Sequence, residues 1–312
     1  STHCESSAAS DVYKRQSQYS EWYDLSVFKN NTEQPHSFFI PYDKAGDSLT
    51  QTLNGTWDFK LYKIDDEVPE EFYKKSYDKS DWDKIPVPSN WQFHTEDFPV
   101  YTNIIYPYEI NPPFMPSDYN PVALYKRNFN LNEDWENMEV FIHFGAVNSA
   151  FYVWVNEKFV GYSEGSKTPA EFNLTDFINK GNNEIVLKVI RWSDGTYLED
   201  QDFWRLSGIE RDVFLYAQPK LAVRDYFLKN YLNNDLTNSK INFEVDLKNY
   251  SDKGKDFQLI TSIKKDNKVV FKKTKNGMIR SNDSQKILID GEVTYPQLWS
   301  AEIPNLYDVE IE

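Results

Sequence analysis

A single cysteine, Cys4, in 312 residues leaves no internal disulfide framework and no cysteine-based zinc cluster. The four histidines (His3, His36, His94 and His143) lie far apart and form no His-x-x-x-His pair. That spacing argues against a zinc site, and His143, inside a strand pattern, reads as a core histidine with a satisfied ring. Positive charge is in deficit, with 34 Lys and Arg against 49 Asp and Glu and a net charge of -15. Nucleic acid and anionic membrane are poor partners for such a chain, because phosphate binding needs clustered Lys and Arg. The one Lys-rich stretch, 264–275, alternates with apolar residues and reads as a solvated strand face. The longest apolar run, 140–155, is broken by His143, Asn148 and Ser149, so it is not a membrane span. Residues 1–20 are Ser-rich and hold no apolar signal core, which points to a cytoplasmic protein. Residues 1–16 have no periodicity and need not belong to the fold. There is no G-x-G-x-x-G, no P-loop, no G-x-S-x-G and no long helical period.

What is present is alternation. Val140, Ile142 and Phe144 alternate with Phe141 and His143, and Phe151, Val153 and Val155 alternate with Tyr152 and Trp154. Ile185, Leu187 and Val189 mark a third strand, and Val213 and Leu215 a fourth. Period-2 patterns of this kind predict half-buried antiparallel strands. Asn156-Glu157 between two such runs suits a hairpin turn, and 173–183 suits one helical turn stopped at Gly181. A boundary falls near Gln218-Pro219. Beyond it Ile241, Phe243, Val245 and Leu247 alternate with polar residues, and about seven short strands predict an immunoglobulin-like sandwich. The pattern at 307–311 begins a last strand inside which the chain stops, which reads as a truncated fragment.

Two segments lack regular period but are rich in chemistry. Residues 86–116 crowd prolines with aromatics and predict an ordered loop over a sheet. Residues 191–208 (RWSDGTYLEDQDFWRLSG) follow one strand pattern and precede another. Asp194, Glu199, Asp200 and Asp202 stand there beside Trp192, Tyr197 and Trp204 and two arginines, Arg191 and Arg205. Carboxylates bind sugar hydroxyls and hard cations, and aromatic faces pack on sugar rings. The same composition also suits a surface salt-bridge loop in which Arg205 pairs with Asp202.

Several long blocks carry a resemblance. VPSNWQFH (87–94), YTNIIYPYEINPPFMP (101–116), the 34 residues from 144 to 177 containing FYVWVNEKFVGYSEGSKTPAEF, RWSDGTYLEDQDFWRLSGIERDV (191–213) and LWSAEIPNLY (298–307) follow one another in a single order. In these blocks the chain resembles the N-terminal half of the lactose-type bacterial β-galactosidases of glycoside hydrolase family 2. Relatives acting on glucuronides carry a Gly-Gly-Tyr-x-Pro-Phe type segment where this chain has GYSEGSKTPAEF, a departure toward the β-galactosidase branch.

The resemblance implies an all-β chain. An N-terminal extended segment (1–34) precedes a jelly-roll, galactose-binding-like β-sandwich (35–217). An immunoglobulin-like β-sandwich (218–312) follows, and the family's TIM barrel lies beyond the chain. The family's two catalytic glutamates sit on that barrel, so no catalytic residue falls in this chain and the chain alone is expected to be inactive. The parent protein is implied to hydrolyse terminal β-D-galactosides such as lactose with retention. A stand-alone carbohydrate-binding module and a family 2 hydrolase of another glycoside, such as a β-mannoside, are the alternatives. By resemblance Asn103 contacts the substrate, and Asp202 contacts the galactosyl group and ligates sodium. A peripheral magnesium site matches Glu21, Asp24, the Val27 carbonyl, Glu164 and Asp194. Na⁺ and Mg²⁺ are the implied cofactors, with neither site complete here. Implied partners are the β-galactoside, the parent's own barrel and later β domains, and further copies of the full-length protein.

Overall fold

The computed structural model describes residues 21–312; Cys4, His3 and the expectation for residues 1–16 lie outside the described residues. The chain divides into two compact units. Of the described residues, the first holds 21–35, Pro41–Glu136 and Val140–Ala217, and the second holds His36–Ile40, Asn137–Glu139 and Gln218–Glu312.

Among the described residues the architecture is all-β, with helix confined to short 3-10 turns and no barrel. In the first unit a seven-stranded sheet runs in the order Lys29–Asn30, Lys158–Glu164, Ala150–Val155, Asn182–Ile190, Val122–Asn130, Gly55–Tyr62 and Asp83–Val87. A four-stranded sheet orders Ala170–Asn173, Glu139–Phe144, Val213–Gln218 and Thr50–Thr52. Every pairing of the seven-stranded sheet is antiparallel, as are those of Ala170–Asn173 with Glu139–Phe144 and of Val213–Gln218 with Thr50–Thr52. The two sheets meet through edge-on rings: Phe151 of the first lies 5.0 Å from Phe144 and 6.1 Å from Phe172 of the second. Each such pair adds roughly 0.5–1.5 kcal/mol beyond burial of its area.

The hairpin expected at Asn156-Glu157 is present. Both residues have positive φ, 51° and 67°, and join Ala150–Val155 to Lys158–Glu164. Two left-handed residues in succession match the right-handed strand twist, which Asn tolerates through its short polar side chain. Between the strands ending at Asn173 and starting at Asn182, residues 175–177 form a turn with Ile178 N–H donating to Leu174 O (3.1 Å), and Gly181 has φ +79°.

One expectation is corrected. The strand Ala150–Val155 is buried on both faces rather than half-buried, as are Glu139–Phe144 and, past its first residue, Asn182–Ile190. Phe151 and Val153 face the second sheet's side, while Tyr152 and Trp154 enter another cluster with Phe72, Val122, Leu124 and Val186. Trp22, Val68 and Tyr73 cover that outer face, and the Tyr73 ring stacks on Trp154 at 5.7 Å and 7°. Both alternating sets are apolar because irregular chain, not water, lies over the sheet.

The second unit has six strands, not seven, and most are long: Leu221–Leu232, Asn238–Asn249, Lys255–Lys265, Lys268–Ile279, Ser284–Thr294 and Asp308–Ile311. They form two three-stranded sheets around Phe243, Val245, Leu259, Ile263, Phe271 and Ile289. The Lys-rich strand Lys268–Ile279 is exposed except at Phe271 and Ile279, as a solvated face requires.

Candidate functional site

The two aperiodic segments meet. Val100–Thr102, from the proline-rich segment, pairs antiparallel with Phe203–Arg205, from the carboxylate-rich one. The register is Val100 with Arg205, Tyr101 with Trp204 and Thr102 with Phe203. The result is a separate two-stranded ribbon. Asn103 and Asp202 are the next residues beyond its last pair, so residues about 100 positions apart in sequence stand together at one tip. Strand alternation sorts the neighbouring side chains. The Tyr101 hydroxyl donates to Asp202 Oδ1 at 2.6 Å, and the Tyr101 ring lies 5.6 Å from Trp204. Asp202 holds the Tyr101 phenol above its ordinary value, first through that hydrogen bond and then through its charge. Asn103 Oδ1 accepts from the Ile104 N–H at 2.9 Å, which leaves its amide N–H₂ as donor.

Phe203 and Arg205 turn the other way and line a cavity of about 360 Å³ with Trp192, Thr196, Glu199 and Gln201. There the Phe203 ring sits near two cations, 5.3 Å from Lys167 Nζ and 5.2 Å from the Arg205 guanidinium. These contacts are worth about 0.5–1 kcal/mol each where water reaches them.

The four carboxylates of 191–208 do not share one job. Arg205 pairs with Asp200, and its Nη1 donates to Glu199 O at 3.0 Å. The pairing of Arg205 with Asp202 read from sequence is therefore corrected, because alternation puts Asp202 on the Tyr101 side of the ribbon. Glu199 accepts from the Ser166 N–H (2.8 Å) and hydroxyl. Asp194 turns to Glu164. Asp202 is left exposed, with the Tyr101 hydroxyl on Oδ1. An exposed carboxylate with free oxygen is suited to a hard monovalent cation or a sugar hydroxyl.

The five positions matched to magnesium fall in one neighbourhood. The Glu164 N–H donates to Phe28 O at 3.0 Å, which sets Val27 beside the edge strand. Tyr162 donates to Glu164 Oε1, Tyr152 donates to Glu21 Oε2 at 2.9 Å, and the two rings lie 4.6 Å apart. Burial pushes the Glu164 carboxyl up to about 8, aided by the charge and hydrogen bond of Asp194. Burial also raises Asp194, and the charge of Asp24 adds to it. Among the described residues, no three His, Cys, Asp or Glu side chains are grouped so that they could hold an ion. Glu164 and Asp194 crowd two carboxyls together, and their burial favours a proton on the pair.

That pair makes stability pH-dependent. A glutamate in an unfolded chain titrates near ~4.3. The folded-state value is raised, so the contribution is fully present below ~4.3 and is lost as pH rises through about 8. In chelator, the chain should lose roughly 3 °C or more of Tm relative to Glu164→Gln between pH 5.5 and 8.5. Magnesium should restore part of that loss at pH 8.5 and do little at pH 5.5. Parallel melting curves for the two proteins would refute the assignment.

The buried polar network behind the ribbon was not legible from sequence. It centres on Asp97, which no sequence pattern marks, and on Arg191, fully buried against the Trp192 ring at 4.5 Å. The only available signal was an arginine placed directly after an apolar strand.

Among the described residues, no helix is long and apolar enough to cross a membrane. The model described as glycosyl hydrolases family 2, sugar binding domain, matches residues 50–219, and that described as glycosyl hydrolases family 2 matches residues 221–312. A β-galactosidase of Priestia megaterium (strain DSM 319 / IMG 1521) is 37% identical over 305 residues, covering 93% of this chain and 30% of the relative. A β-galactosidase of Oenococcus oeni (strain ATCC BAA-331 / PSU-1) is 38% identical over 299 residues, covering 93% and 28%. The chain thus spans less than a third of the length of these relatives. Among solved structures, Bacteroides uniformis β-glucuronidase 2 covalently bound to cyclophellitol-6-carboxylate aziridine superposes with a TM-score of 0.69 at 23% identity, over 84% of this chain and 30% of that one. A putative β-galactosidase from Bacteroides fragilis gives 0.67 at 19%, over 83% and 38%. At these identities the two share the fold.

Proposed function

The chain belongs to glycosyl hydrolase family 2, and from that premise we propose that it supplies the substrate-side β domains of a retaining β-galactosidase. The observation that carries the reading is the ribbon tip, where Asn103 and Asp202 each follow directly on the last pair, Thr102 with Phe203. The identity to two β-galactosidases over 93% of the chain supports a galactoside rather than a glucuronide. Asp202 would accept from a galactosyl hydroxyl and hold sodium. Asn103 would donate through its amide. Bound sodium would supply a fixed positive charge beside the sugar; its other ligands would come from outside the described residues. The family's acid/base and nucleophile would stand on the barrel, roughly 5–5.5 Å apart. Tyr101, Ile104, Ile105 and Trp204, exposed around the tip, would be covered by that barrel in the parent.

The test is the full-length protein with nitrophenyl glycosides. Cleavage of the β-galactoside with kcat/KM at least 100-fold above that for the β-glucuronide and the β-mannoside is expected. That ratio corresponds to about 2.7 kcal/mol of differential transition-state binding. A preference for either competitor would overturn the galactoside reading and leave the family intact.

A further inference from the structure

Asp97 is buried and accepts five hydrogen bonds, none of them from the ribbon itself. Its Oδ2 takes Trp91 Nε1 at 2.6 Å and Gln92 Nε2 at 2.9 Å. Its Oδ1 takes the Tyr119 hydroxyl at 2.6 Å, the Phe98 N–H at 3.0 Å and Arg191 Nη1. Two of these partners reach on to the ribbon. Arg191 Nη2 donates to Phe98 O at 3.0 Å, two residues before Val100. Gln92 Oε1 accepts from the Ser207 N–H at 2.9 Å, two residues after Arg205, and the Trp91 N–H donates to Ser207 O at 3.0 Å.

Phe98 and Ser207 lie at the same end of the ribbon, beyond the Val100–Arg205 pair. Asn103 and Asp202 lie at the opposite end. A two-stranded ribbon of three residues is not stable on its own. It projects about 10 Å at ~3.4 Å per residue, so a rotation of about 6° at the base moves the tip by about 1 Å. A shift of that size at a substrate contact is enough to cost ~10²-fold in rate. Arg191 also ties the base to the rigid sheet, since its N–H donates to Pro121 O at 2.9 Å directly after the strand Asn182–Ile190.

We propose that Asp97, through Arg191 and Gln92, is the positioning residue that clamps the base of the ribbon and so fixes Asn103 and Asp202 at its tip. The inference rests on the reading that the tip meets sugar and sodium. Asp97 itself touches neither and acts through the backbone at Phe98 and Ser207.

The experiment uses the full-length protein and two variants. Asp97→Asn removes the charge that Arg191 faces. Tyr119→Phe removes one donor and leaves the ion pair, so it serves if the first variant does not fold. Amide hydrogen exchange without substrate should accelerate at least 10-fold at residues 100–103 and 202–205 in Asp97→Asn. It should stay within two-fold at Ala150–Val155, and Tyr119→Phe should show the same pattern, smaller. The sodium concentration giving half-maximal cleavage of nitrophenyl β-galactoside should rise at least five-fold, with kcat/KM recovering at saturating sodium. Uniform acceleration across the ribbon and Ala150–Val155, or a lowered Tm with unchanged sodium half-saturation, would overturn the inference and leave Asp97 a structural residue. A wild-type protein without sodium response would instead overturn the reading of the tip, and the exchange pattern would still decide the clamp.

Discussion

Purified, this chain should release no nitrophenol from a β-galactoside above the uncatalysed rate. The described residues form two β units, and no barrel stands among their sheets. Retaining glycoside hydrolysis uses one carboxyl as nucleophile and another as acid/base at a fixed separation, and the resemblance implies that both stand on a barrel. The acids near the ribbon cannot take their place. Asp200 is held by Arg205, Glu199 by Ser166 and Asp194 by Glu164, which leaves Asp202 as the one acid presented at the tip. Positioning groups contribute only when there is chemistry to position. The expected loss relative to the full-length protein is therefore many orders of magnitude. Turnover that copurifies with the chain and survives Asp202→Asn would show that catalytic residues lie within it.

Asp202→Asn in the full-length protein should lower kcat/KM on the order of 10²-fold or more, about 2.7 kcal/mol of transition-state stabilisation. The substitution keeps the shape and the Tyr101 contact while removing the charge a cation needs. Stability should hardly move, because Asp202 is exposed and its bond to Tyr101 lies at the surface. The sodium response should flatten with it. Asp200→Asn behaves differently from a neutral control: it breaks the pair with Arg205, whose side chain is 7% exposed, so Tm should fall while the sodium response persists. Measuring kcat/KM across a sodium titration for both variants separates the roles. An Asp202 variant with wild-type kinetics and wild-type sodium dependence would end the assignment of the tip.

The sequence by itself determined the things set by local chemistry. Alternation named the strands at 140–144, 151–155, 183–190 and 241–247, and Asn156-Glu157 between two such runs named its own turn, with Asn at the first left-handed position. The blocks from 87 to 307 named the family, and the crowding of acids with aromatics marked 191–208 as the place to look. Local pattern could not say that Ala150–Val155 is covered on both sides, because that depends on where Trp22 and Tyr73 come to lie. Nor could it assign four neighbouring carboxylates to four different partners. Arg205 is three residues from Asp202 and five from Asp200, yet it pairs with the farther one. Ribbon alternation turns the nearer acid to the opposite side, and a ribbon exists only when residues 100–102 meet 203–205. Tertiary structure alone decided that meeting. A buried arginine and a buried aspartate, 94 positions apart, must find each other because neither charge is tolerated alone in the interior, and their pairing carries the two loops together.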